Sequence, residues 1–250
     1  MGLAKPFRRT VRQFTDGSYA NGGKAAYILD PRFATDPVHY VRAFLLLQKD
    51  FLDLLDYIEP TDQNKGCYSH RTFELLVRAS VEVEANCKAI LEENGYRPAG
   101  PYFNMKDYKK LDASHRLSAY RVKLPVWDGN MAIRQPFQAW AQGKGLPWFQ
   151  EYNTTKHARQ QQFPQATFEA LTDAITGLVA LLSAQFWTCD FLPHDTLLSV
   201  GGPGDGMATA IGGYFRVEFP NNWSPTEQYD FDWQKLKGSA SPFDSYPYPP

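Results

Sequence analysis

The stretch from Ala174 to Trp187 constrains the fold more than any other. It holds no charged residue, and only Thr176, Ser183 and Gln185 interrupt its apolar character. It is too short and too polar to cross a bilayer. A helix of this composition has no hydrophilic face to offer water, so other elements must enclose it. Phe168, Leu171, Ile175, Leu178, Leu182 and Phe186 recur at helical spacing, which predicts a buried helix from Pro164 to about Thr188.

Two more long helices precede it. Thr35-Asp36-Pro37 is a helix start, with Asp36 as the cap and Pro37 in the first turn. Val41, Phe44, Leu45, Phe51, Leu52, Leu55 and Ile58 follow at helical spacing, and Pro60 ends the run. Ser69 caps a second helix reaching about Glu93, with Gly95 just beyond its end. Its stripe, Phe73, Leu76, Ser80, Val83, Cys87 and Ile90, alternates steps of three and four, as packed antiparallel helices require. Weaker patterns give a helix over 105–120, turns over 121–135 and a helix over 147–161. Beyond Pro193, Tyr214–Phe219 alternates as one strand of a hairpin, and the tail either wraps the body through Trp223, Tyr229, Phe231, Trp233 and Phe243 or lies loose. The expected organisation is mainly α: an N-terminal arm (1–34), a helical domain (35–192) and an irregular C-terminal extension (193–250).

Charge and motifs narrow the function. The 26 Lys and Arg nearly balance the 27 Asp and Glu, leaving a net charge of −1. A protein held on nucleic acid or membrane by bulk positive charge is thereby excluded, and any basic site must be local. Lys5, Arg8, Arg9 and Arg12 form one such cluster, either a solvated arm or an arm that touches phosphate. The three cysteines exclude a disulfide framework. His39, His70, His115 and His194 have no second ligand at metal spacing and read as surface or loop histidines. The glycines of 201–206 lack the residues of a phosphate loop. No metal or cofactor is expected, and no DNA-specific motif occurs. The N-terminus lacks an apolar stretch of signal-peptide length, which points to a cytoplasmic protein that does not enter the membrane.

The segment Trp148–Arg159 carries the chemistry. On a helix, Asn153 and His157 share a face, with Lys156 beside them, and Tyr152, Lys156 and Arg159 line the neighbouring face. Imidazole titrates near neutral pH and transfers protons. An amide orients a ring or a phosphate oxygen, while ammonium and guanidinium groups stabilise a phosphorane-like charge. That inventory suits metal-free RNA cleavage, in which a 2′-hydroxyl attacks its own phosphate. The alternative is an Asn–His hydrogen-bond network inside a polar core.

The pattern Tyr-Asn-x-x-Lys-His-x-Arg before a long apolar helix resembles the HEPN-like helical domains of prokaryotes, over roughly residues 37–190. The resemblance implies an up-and-down helical bundle, a homodimer and an RNA-directed role, including endoribonuclease action in toxin–antitoxin or phage-defence systems with a protein partner or antitoxin. Asn153 and His157 match the motif Asn and His. Tyr152 stands where the family has Arg, and Lys156 or Arg159 would supply that charge from another turn. Family members often place an acid on the second helix facing the motif. Glu84 takes that position here, where it would hold His157 in one tautomer. The other functional reading is a non-catalytic module for dimerisation or partner binding.

Overall fold

The computed structural model describes residues 2–19, 21–191 and 205–250, and the chain is mainly α. Helix α1 (Pro37–Leu55) starts at the expected proline, but Asp36 does not cap it. The Asp36 backbone is left-handed (φ 47°) and its side chain accepts no cap hydrogen bond. Helix α2 (His70–Glu93) is capped as expected, the Ser69 hydroxyl accepting from the Thr72 N–H at 3.0 Å. Its stripe is buried from Leu76 to Ile90, with Phe73 half-buried at the end. Asp50, late in α1, pairs with Arg71 and Arg78, early in α2, so the two helices run antiparallel.

The helix expected over 105–120 is broken into α3 (Met105–Lys109), α4 (Leu111–His115) and a 3-10 turn at Leu117–Ala119. Arg116, at φ 55°, ends α4 and turns the chain. The turns expected over 121–135 instead join two short strands, β1 (Arg121–Lys123) and β2 (Ile133–Arg134), and α5 (Gln138–Ala141) follows. Helix α6 (Pro147–His157) opens at its expected proline but stops four residues early, at Ala158. Ala158 has φ −126° and ψ 42°, and a separate turn, α7 (Arg159–Gln162), begins after it.

Helix α8 (Phe168–Phe186) starts later than Pro164, which belongs to a 3-10 turn. The Thr167 hydroxyl accepts from the Ala170 N–H at 3.1 Å, so a side-chain cap sets the boundary rather than the proline. Every α8 residue except Glu169 and Asp173 is buried. This is the enclosed helix that its composition requires. It lies parallel to α2: Phe168 N–H donates to Cys67 O at one end (2.7 Å) and Gln185 Nε2 donates to Asn86 Oδ1 at the other (2.9 Å). Helix α6 covers another side of α8, running the opposite way. Trp148 lies so close to Gly177 that a Cβ there would be 3.4 Å from its ring.

After residue 204, β3 (Ala208–Thr209) and β4 (Arg216–Glu218) form the expected hairpin. It joins the unexpected one in an antiparallel sheet of order β2-β1-β4-β3. Val122 and Val217 pair in its centre and are buried, and both β1 and β4 pack on α8. Helix α9 (Trp233–Leu236) lies in the tail, which wraps the body as its aromatics suggested. Tyr229 and Trp233 enter the same core as α2 and α8.

The N-terminal basic cluster is not a solvated arm: Arg9 and Arg12 turn into the interior, while Lys5 and Arg8 stay partly exposed. Bridges Leu3–Tyr229, Phe14–Tyr229 and Phe7–Asp244 tie residues 3–14 to the tail. Arg9 is fully buried: it donates to Glu93 (2.7 Å) and Gln185 (2.9 Å) and lies over the Tyr40 ring. Arg12 is also buried, against Ser114 O and the rings of Phe7, Trp223 and Tyr246. These charges serve packing, because each meets acceptors and aromatic faces in the interior. His115, expected at the surface, is buried beneath them, with Nε2 2.9 Å from Arg9 O and Nδ1 2.7 Å from the Ser114 hydroxyl. His194 and glycines 201, 202 and 204 lie outside the described residues. Among the described residues, no helix is long and apolar enough to cross a membrane.

Candidate functional site

Helix α6 is anchored through one face. Trp148, Phe149, Tyr152 and Thr155 are buried, and Trp148 Nε1 donates to Pro136 O at 2.9 Å. The opposite face is therefore turned outward: His157 and Lys156 are exposed, and Asn153 is half-buried one turn earlier. Among the described residues, neither Asn153 nor His157 makes a side-chain hydrogen bond, so the Asn–His network weighed above is not formed. His157 sits in the last turn of α6, beside Lys156.

Lys156 is fixed more firmly. Its ammonium donates to the Tyr152 hydroxyl at 3.0 Å. That hydrogen bond, with help from the charge of Glu84, raises the Lys156 pKa. Tyr152 thus anchors a cation from the following turn. Glu84 is half-buried; burial pushes its carboxyl up and the charge of Lys156 draws it back down. Glu84 does not hydrogen-bond His157 among the described residues, so the acid expected to fix the imidazole acts on Lys156 instead. Arg78 pairs with Asp50, leaving Glu82 half-buried with a raised pKa of its own.

Arg159 departs from this face because the helix breaks at Ala158. Its guanidinium lies over the Phe73 ring (5.3 Å) and donates to His70 Nδ1 at 3.4 Å. His70 in turn packs on Phe163 at 4.6 Å between centroids. His70 is remote from Arg159 in the chain and no local pattern marks it as a neighbour, whereas Phe163 lies only four residues beyond Arg159.

On the other side of α6 is a charged cluster that the sequence does not reveal. Arg134, 4% exposed, donates to Asp173 at 3.0 Å and covers Trp127. Burial pushes the Asp173 carboxyl up to about 6, with Glu169 adding to the rise and Arg134 opposing it. Burial likewise raises Glu151, across the α6–α8 contact. Among the described residues, no three His, Cys, Asp or Glu side chains are grouped to hold a metal ion. A cavity of about 620 Å³ beside β1 and β2 is lined by Arg121, Lys123, Asn130, Gln135 and Gln138, and it shares no residue with α6.

No family model, curated protein or solved structure matches this chain.

Proposed function

We propose that this is an RNA-directed protein of the HEPN-like kind, acting as a metal-independent endoribonuclease of a toxin or phage-defence system. The observation that carries the reading is the freedom of His157. It is exposed, it spends neither ring nitrogen on the fold, and it has Asn153 and Lys156 within one turn. A histidine kept for packing is hydrogen-bonded inside, as His115 is.

In this reading the neutral His157 imidazole takes the proton of a ribose 2′-hydroxyl. The 2′-oxygen attacks the adjacent phosphorus, and the bond to the 5′-oxygen breaks. The products are a 2′,3′-cyclic phosphate and a 5′-hydroxyl, the latter protonated by an imidazolium. Lys156, held by Tyr152, stabilises the charge that builds on the phosphate oxygens, and Asn153 donates to one of them. A homodimer would bring two histidines to one scissile bond, one as base and one as acid. Cleavage of single-stranded RNA in excess chelator, leaving cyclic-phosphate ends, tests the reading. RNA in which the ribose at the cut site is replaced by deoxyribose must resist cleavage.

A further inference from the structure

Arg159 was expected to join the α6 face, yet it stands in a group of rings at the start of α2 and α8. Phe163 is the hub. Its ring meets Tyr68 at 5.9 Å and 86°, His70 at 4.6 Å and 40°, and Phe73 at 5.9 Å and 55°. The group is held rigidly: Tyr68 bridges to Thr167, and Phe168 N–H and Glu169 N–H donate to Cys67 O and Lys65 O. Part of it is open to solvent. Tyr68 is 50% exposed, and His70 and Arg159 are also exposed. Through Phe163, the group sets an exposed phenol ring, an imidazole and a guanidinium plane on one patch of surface.

The chemistry of this surface specifies its occupant. Rings and guanidinium planes offer stacking faces to any nucleobase, and the cationic head suits the phosphate that follows it. A duplex keeps its bases stacked internally and offers such a surface its phosphates but no base face. Arg159 lies two residues beyond His157 in the chain, across the break at Ala158, so the ring group adjoins the end of α6.

We propose that Tyr68, His70, Phe163 and Arg159 form a stacking platform that holds an unpaired base of single-stranded RNA beside His157. This inference rests on the RNA-directed reading above and names its substrate class: unpaired RNA, read through its base faces. Tyr68 is the principal stacking surface, because it is the largest of the exposed rings in the group. Arg159 contributes a second plane and a positive charge.

The test is fluorescence anisotropy of a short labelled single-stranded oligoadenylate, with a labelled RNA duplex of equal length as the second probe. Binding is measured in the His157→Ala background, so that cleavage does not intervene. Tyr68→Ala is expected to weaken oligoadenylate binding roughly tenfold, whereas Tyr68→Trp retains it. Duplex binding should be weak in the parent and unchanged by Tyr68→Ala. Equal oligoadenylate affinity for the parent and Tyr68→Ala would overturn the platform, as would no measurable binding by the parent or a preference for duplex. Circular dichroism of each variant reports whether it is folded, and Tyr68→Phe supplies a second, milder variant that should keep most of the affinity. Failure of the nuclease reading looks different: His157→Ala cuts RNA as well as wild type, while Tyr68→Ala still weakens binding.

Discussion

The Arg9 guanidinium, fully buried, donates to the Glu93 carboxylate at 2.7 Å and joins the N-terminal segment to the end of α2. Gln185 extends the connection, accepting from Arg9 at 2.9 Å and donating to Asn86 at 2.9 Å. One chain of polar contacts thus ties residue 9 to both helices at the centre of the core. Removing one partner leaves a buried charge without its counterion, which is more costly than never having built the pair. Glu93→Ala should therefore destabilise the protein by about 3 kcal/mol, read as a shift of the urea unfolding midpoint. Arg9→Met should cost less, because Glu93 keeps Arg8 and the Thr35 N–H as partners.

A buried histidine and a half-buried carboxylate oppose each other in acid. Burial pushes His115 down to about 4, so its neutral form is favoured in the folded state. Its contribution is complete above the ordinary histidine value of about 6.5 and is lost as pH falls towards 4. Asp173 is pushed up to about 6, so the folded state binds its proton more tightly than the unfolded chain does. Its contribution is present at low pH and is lost as pH rises towards 6. The Asp173 side chain keeps 28% of its exposure, so its effect is the smaller of the two. In the His115→Gln protein, stability should rise as pH falls from 6 to 4. In Asp173→Asn it should fall more steeply than in wild type. Urea titrations at a series of pH values separate these slopes, and identical slopes in all three proteins would contradict the assignment.

The Ser69 cap predicts a simple local effect. Its hydroxyl satisfies the Thr72 N–H and also lies 2.8 Å from the Thr72 hydroxyl. Ser69→Ala should cost about 1 kcal/mol, visible in thermal unfolding, while Ser69→Asp should retain most of the stability.

These residues also show what the sequence reveals and where it stops. The long helices are legible because their signals are local: Ser69 caps α2, apolar spacing marks α1 and α2, and α8 has almost no polar surface. Asp36 and Pro164 mislead because each has the right residue type in a backbone set by neighbouring contacts. The short strands at 121–123 and 133–134 are too brief to show a period. The burial of Arg9 and Arg12 escapes notice because their partners, Glu93, Gln185 and Ser114, are remote in sequence and a basic run looks the same in water or in a core. The Asn153–His157 face is legible from helical geometry alone. The break at Ala158, which carries Arg159 away to His70 and Phe73, depends on the packing of the 3-10 turn beyond it.

His157 is the residue on which RNA cleavage depends in the proposed mechanism. The direct measurement is single-turnover cleavage of single-stranded RNA in excess chelator by wild type and by His157→Ala, with unfolding curves to show that both are folded. Loss of the imidazole at an exposed position should leave stability nearly unchanged and reduce the cleavage rate by at least about 100-fold. Cleavage by His157→Ala at the wild-type rate, or no cleavage by the wild-type protein, would contradict the account.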